Sequence, residues 1–93
     1  MSTTYQILYW RDIPAQVRVF NGKRPLSRQM PDRFQHDIDR IAMAEELAER
    51  DEYLNLWQWT EKREREGEVE EVLGALLEEL EKEYDERDGQ VND

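Results

Sequence analysis

The sequence predicts an α+β two-layer sandwich: a mostly antiparallel sheet in the order β-β-β-α-β-α, with two helices on one face. Three observations carry this. Tyr5–Phe20 holds two short alternating runs separated by a proline corner, Asn21-Gly22 is a hairpin signal, and residues 68–85 carry a helical apolar stripe. Strands that follow one another through short connections pair antiparallel, and the helices then cover one sheet face.

The first strand is expected over Tyr5–Trp10 (Y-Q-I-L-Y-W), too short for a globular helix and rich in β-branched and aromatic residues. Pro14 fixes its own φ and pushes Ile13 toward extended geometry, which predicts a corner over Asp12–Ala15. Gln16–Phe20 alternates again as the second strand. Asn21-Gly22 supplies the positive φ that a two-residue type I′ turn needs at both central positions. The returning strand, Lys23–Gln29, contains Pro25 and several cations and is expected at the sheet edge.

Met30-Pro31-Asp32 opens the first helix, with proline and an acid suited to the first turn. Phe34, Ile38, Ile41, Ala44 and Ala48 share one stripe, Met43 and Leu47 point to the opposite side, and the helix is expected to end near Arg50-Asp51. Tyr53–Thr60 (Y-L-N-L-W-Q-W-T) reads as a further strand, with a short helix through Tyr53 and Trp57 as the competing reading. Glu61–Gly67 reads as a charged connection. Glu68 to about Asp85 is the second helix, with Val69, Val72, Leu73, Leu76, Leu77, Leu80 and Tyr84 on one stripe and acids crowding its first turn. Residues 1–87 then form one domain, and 88–93 a frayed tail.

Composition narrows the chemistry. A chain of 93 residues makes one small domain with a modest core. Charged residues make up 39% of it, yet three Trp, four Tyr and two Phe argue for an ordered fold. Without cysteine there are no disulfides, thiolate metal sites or cysteine nucleophiles. His36 is the only histidine, so one chain cannot assemble a His-based zinc site or a His-pair relay. Ser27, His36 and Asp37 lack the nucleophile-elbow setting of a hydrolase triad. The acids of the last helix lack calcium-loop spacing, and no glycine-rich phosphate loop occurs. No cofactor and no metal is expected. With neither a signal peptide nor an apolar run long enough to span a bilayer, a cytoplasmic protein with no membrane contact is expected.

The net charge of −10 is uneven: residues 1–40 carry seven basic and four acidic side chains, and the remainder six basic and nineteen acidic. The basic first part could accept an anion locally, although the whole chain repels phosphate backbones.

The string Y-W-R-D-I-P-A-Q-V, then M-P-D-R-F-Q-H-D-I-D-R-I-A-M and Y-L-N-L-W-Q-W, resembles the small bacterial "virulence factor" family. A related module is found in the longer conserved virulence factor C proteins. The helix pattern is matched at Pro31, Phe34, Ile38, Asp39, Ala42 and Met43, and departs at Met30 and Ile41, where packing variation accounts for the change. The resemblance implies a fold and a bacterial cytosolic protein, with no biochemical activity attached. It also points to folate and corrinoid one-carbon enzymes as partners.

Alternation sends Leu8, Trp10, Arg18, Phe20, Trp57 and Trp59 to the sheet face away from the helices, if Ile7, Val17, Val19, Leu54 and Leu56 face them. An aromatic face that two helices cannot cover suggests an interaction surface. The expected function is a non-enzymatic interaction or accessory module that docks on a larger protein or on a copy of itself. Its partner-binding residues would be Trp10, Arg11, Asp12, Gln16, Arg18, Trp57 and Trp59. A structural pairing of Arg11 with Asp12, tying the corner to the first helix, competes with a binding role for those two. The alternative function is binding of an anionic ligand or single-stranded RNA, with Trp10, Phe20 and Trp57 stacking on bases and Arg18, Lys23, Arg24 and Arg28 meeting phosphates. An enzyme using Arg11, Asp12 and Gln16 in a pocket completed by a partner has the least support.

Overall fold

The computed structural model describes residues 2–20, 22, 24–47 and 50–91, with side chains described as far as Glu86. It is an α+β protein whose elements run β1 (Ser2–Trp10), β2 (Ile13–Phe20), β3 (Pro25–Gln29), α1 (Asp32–Ala44), α2 (Asp51–Asn55), β4 (Trp57–Trp59), β5 (Arg63–Glu66) and α3 (Val69–Val91).

β1 is the centre of the sheet. On one side it pairs with β2, which pairs with β3, and on the other with β4 at its C-terminal end and β5 at its N-terminal end, all antiparallel. The stretch 61–67, expected as a connection, therefore contains a fifth strand. Strands β4 and β5 form one broken edge. Leu8 opposes Trp59 and Tyr5 opposes Arg63, so the later strand carries one extra residue between these pairs. Thr60 bridges the break: its N–H donates to the Ile7 carbonyl at 2.9 Å, and its hydroxyl accepts the Ile7 N–H at 3.0 Å.

The corner lies two residues earlier than expected. Trp10 opposes Ile13, leaving Arg11-Asp12 as a two-residue loop with Arg11 at φ 57°. Pro14 stands inside β2 opposite Tyr9, and the register shifts there so that Ala15 is the additional residue. A bulge tolerates a residue that cannot donate, and the Ala15 carbonyl is taken up by the Met30 N–H at 2.9 Å. At the next connection Phe20 opposes Pro25, so four residues join β2 to β3 rather than the two of a type I′ turn. Asn21 and Lys23 lie outside the described residues.

α1 ends at Ala44, earlier than its apolar pattern suggests, because a Schellman-type cap closes it. The Glu46 N–H bonds the Met43 carbonyl, the Leu47 N–H bonds the Ala42 carbonyl at 2.7 Å, and Glu46 takes φ 60°. Leu47 then turns inward and is buried beyond the helix, whereas Met43 remains 71% exposed. Residues 53–60 divide between the two readings: α2 ends at Asn55 and β4 begins at Trp57. Leu54 does not face the helices; it is 65% exposed.

α3 crosses one sheet face. Val72, Leu73, Leu76 and Leu80 are buried with Ile7, Val17 and Val19, as the stripe predicts. Its backbone stays helical to Val91, past the expected fraying point at Asp88. α1 packs beside the later part of α3: the Phe34 ring lies 4.6 Å from that of Tyr84, Arg33 reaches Asp85 and Glu81, and the Tyr84 hydroxyl donates to Asp37. Among the described residues no helix is long and apolar enough to cross a membrane.

Candidate functional site

Directly opposed residues of neighbouring strands point to the same face. On the face turned away from α3 this places Gln29, Gln16, Leu8 and Trp59 in one row, and Ser27, Arg18 and Gln6 in the next. Phe20 and Thr4 follow at one end, and Trp10 with Trp57 at the other. The sorting of Leu8, Trp10, Arg18, Phe20, Trp57 and Trp59 to one side agrees with the alternation of the sequence.

Arg18 stands at the middle of this face. Its guanidinium lies 4.0 Å from the Trp59 ring centroid and 5.4 Å from that of Phe20. Its Nη2 donates to Gln6 Oε1 at 2.7 Å, and Gln6 Nε2 donates to the Thr60 carbonyl at 2.9 Å. The Arg18 Nε–H is buried and has no acceptor. Lys62 extends the row, with Nζ 4.9 Å from the Phe20 centroid. Leu8, Phe20, Trp57 and Trp59 are half-buried, so their rings and methyl groups form an open floor around a fixed cation.

Trp10 requires a correction. It has no exposed surface. The corner folds under α1 and the 50–57 segment, the Trp10 indole N–H donates to the Tyr53 carbonyl at 3.2 Å, and the two rings lie 5.8 Å apart. Tyr53 in turn meets Trp57 edge-on at 6.1 Å. Trp10 is a core residue and offers nothing to a partner.

Arg11 and Asp12 are both exposed. The expected tie between corner and first helix exists, but its acceptor is different: Arg11 makes a two-pronged ion pair with Glu45 (2.6 and 2.5 Å), just beyond α1. This contact holds the Glu45 carboxyl below its ordinary pKa and opposes the desolvation that would raise it. Arg11 at the loop tip and Arg18 mid-strand are seven positions apart along the chain, which separates the corner's ion pair from the cation at the middle of the face.

Gln16 lies beside a cavity of about 230 Å³ that the sequence did not reveal. Its wall is Leu8, Ala15, Met30, Phe34 and Trp57, and Gln16, Gln29, Asp32 and Gln35 stand around it. The bulge at Ala15 and the start of α1 create this space together, so no periodicity signals it.

The alternative anion-binding set is not gathered. Arg18 opposes Ser27 whereas Arg28 opposes Val17, which puts Arg18 and Arg28 on opposite sheet faces. Arg24 is exposed in the β2–β3 connection, and Lys23 lies outside the described residues. His36 is exposed, and Asp37 is engaged by Tyr84 and Arg40. Among the described residues no group of three His, Asp or Glu is placed to hold a metal ion.

No curated protein and no solved structure matches the chain. The family model described as "Virulence factor" matches residues 8–90. That span runs from the strand leading into the corner through almost all of α3, and the protein belongs to the virulence factor family.

Proposed function

We propose that the protein is a non-enzymatic interaction module that docks on a partner protein through the sheet face centred on Arg18 and Trp59. One observation carries this reading: an arginine is locked over a half-buried tryptophan on the sheet face turned away from α3. Arginine and tryptophan are typical hot-spot residues, and a guanidinium already held by Trp59 and Gln6 loses little side-chain freedom on docking.

Two features weigh against an anion or single-stranded RNA as the ligand. The basic side chains named for that role are split between faces, and the chain carries a net charge of −10. Self-association through β5 is also disfavoured. On one face this edge presents Arg63 and Arg65, and on the other Glu64 and Glu66. Two antiparallel copies paired about a two-fold axis keep each face continuous, so arginine would meet arginine and glutamate would meet glutamate.

The test is capture from native lysate, with and without nuclease treatment, by wild type, Trp59→Ala and Arg18→Ala, each checked by circular dichroism. A Glu78→Ala variant on the exposed side of α3 serves as control. The expected result is one protein held by wild type and by the control and lost by both sheet-face variants. Equal capture by all four would overturn the reading, and dependence of capture on nucleic acid would transfer it to the RNA alternative.

A further inference from the structure

The cavity beside Gln16 has a chemistry of its own. Its lining joins the apolar side chains of Leu8, Ala15, Met30 and Phe34 and the indole of Trp57 to four polar residues. Three polar groups of the lining, the amides of Gln16 and Gln29 and the carboxylate of Asp32, make no hydrogen bond or ion pair with the rest of the described chain. Gln35 is different, since its amide donates to Asp39 at 3.0 Å. Asp32 is the single charged residue of the lining, and no lysine, arginine or histidine lines it.

The volume is about 230 Å³. Pockets that hold drug-sized ligands run from about 300 to 1,000 Å³, so this one suits a single side chain or a ligand of that size. An anion would meet the Asp32 carboxylate with no cation to compensate, and a nucleotide's phosphate would meet the same repulsion. A purely apolar side chain would cover the two amides and the carboxylate without satisfying them. The complement is a cation bearing several N–H donors and a flat face. A guanidinium can place a pair of donors on a carboxylate, a further donor on an amide carbonyl, and its plane against an indole. An ammonium lacks the plane.

We infer that this cavity takes the guanidinium of an arginine side chain carried by the partner protein, with Asp32 and the Gln16 and Gln29 carbonyls as acceptors and Trp57 as the stacking wall. The inference rests on the docking reading above and gives it a chemical specificity. The cavity shares Leu8, Gln16 and Trp57 with the open sheet face, so an arginine seated there continues the contact around Arg18. The excess of acids in the chain steers a basic segment toward it.

The test needs no partner. The ¹⁵N-labelled full chain is titrated with N-acetyl-arginine N-methylamide, and separately with the neutral citrulline and the lysine counterparts, following the Gln16 and Gln29 side-chain amides and the Trp57 indole N–H by NMR. The expected result is saturable shifts at these groups with the arginine probe, with Kd on the order of millimolar for one side chain. Lysine should bind more weakly and citrulline should not saturate. Asp32→Asn should weaken the arginine probe by about tenfold. Gln29→Glu, which adds a second carboxylate at the rim, should tighten it and serves as an independent variant should Asp32→Asn fold poorly. Equal response to arginine and citrulline, no shift at these groups, or unchanged affinity in both variants would overturn the inference. A silent probe alongside capture that depends on Trp59 would remove the guanidinium site and leave the docking reading standing. A responding probe without any captured protein would support the guanidinium site and overturn the docking reading.

Discussion

Trp10 hands its indole N–H to the backbone carbonyl of Tyr53 at 3.2 Å, and this contact fixes the return of the chain from α1 to β4 under the corner. The donor and acceptor are 43 residues apart in sequence. An indole can be fully buried here because its polar atom is satisfied, and its ring fills the space between β1 and α2.

Trp10 and Trp59, which share this sheet face, should therefore respond differently to truncation. Trp10→Ala is expected to destabilise the fold by about 3–5 kcal/mol, through the cavity it leaves and the lost hydrogen bond. Trp59→Ala removes a half-buried ring and its cation contact, worth about 0.5–2 kcal/mol as a cation–π pair. Urea denaturation of both variants measures the difference, and equal losses would show that Trp10 is not the core anchor.

Glu46 occupies the left-handed position of the α1 cap at φ 60°. Such a conformation costs a non-glycine residue roughly 1–2 kcal/mol, and glycine adopts it freely. Glu46→Gly should stabilise the protein by about 1 kcal/mol with the cap bonds of Leu47 and Glu46 retained. A fall in thermal midpoint would contradict this account of how α1 ends.

Gly67 and Gly74 are expected to respond to alanine with opposite signs. Gly67 sits at φ 131°, a Cβ there would come within 3.2 Å of Val72 Cγ2, and its carbonyl accepts the buried Thr3 hydroxyl at 2.7 Å. Gly67→Ala should cost about 1–3 kcal/mol. Gly74 lies within α3 with open space at its Cβ position, so Gly74→Ala should add about 0.5–1 kcal/mol. Calorimetry on the pair is sufficient to check both signs.

The ion pair between Arg11 and Glu45 gives a pH dependence whose sign is defined. Hydrogen bonding to Arg11 lowers the folded-state pKa of Glu45 from 4.5. The associated stability is present above the ordinary carboxylate range and is lost as pH falls through the lowered folded value. Glu79 behaves alike through Arg65. The Glu45 carboxyl carbon should titrate below the ordinary range by NMR in wild type and return toward it in Arg11→Gln. An unchanged midpoint in that variant would show that the pair does not persist in solution. The groups are exposed, so the effect on overall stability should be small and should shrink with added salt.

Much of the architecture was legible in local pattern. Period-two alternation in 5–10 and 16–20 placed Leu8, Trp10, Arg18 and Phe20 on one face, and the stripe from Val69 to Tyr84 placed α3 on the other. The end of α1 was hidden because glutamate, not glycine, fills its left-handed cap. The corner was misplaced because Pro14 signals a turn in isolation, whereas a bulge at Ala15 and the Met30 N–H accommodate it within a strand. β5 was hidden because R-E-R-E carries no apolar alternation; its inward arginines are half-exposed or exposed and one of them pairs with Glu79 on α3.

The sequence by itself determined the α+β class, the sides of the strands and the apolar face of α3, because these follow from side-chain period and from nearest-neighbour backbone chemistry. Tertiary structure alone decided which aromatics remain available. Trp10 and Trp59 share a face and a residue type, yet one is enclosed by a segment more than forty residues away and the other is left open beneath Arg18. Burial is set by what the rest of the chain places over a residue, and the cavity between the Ala15 bulge and Asp32 exists for the same reason: two distant irregularities meet there.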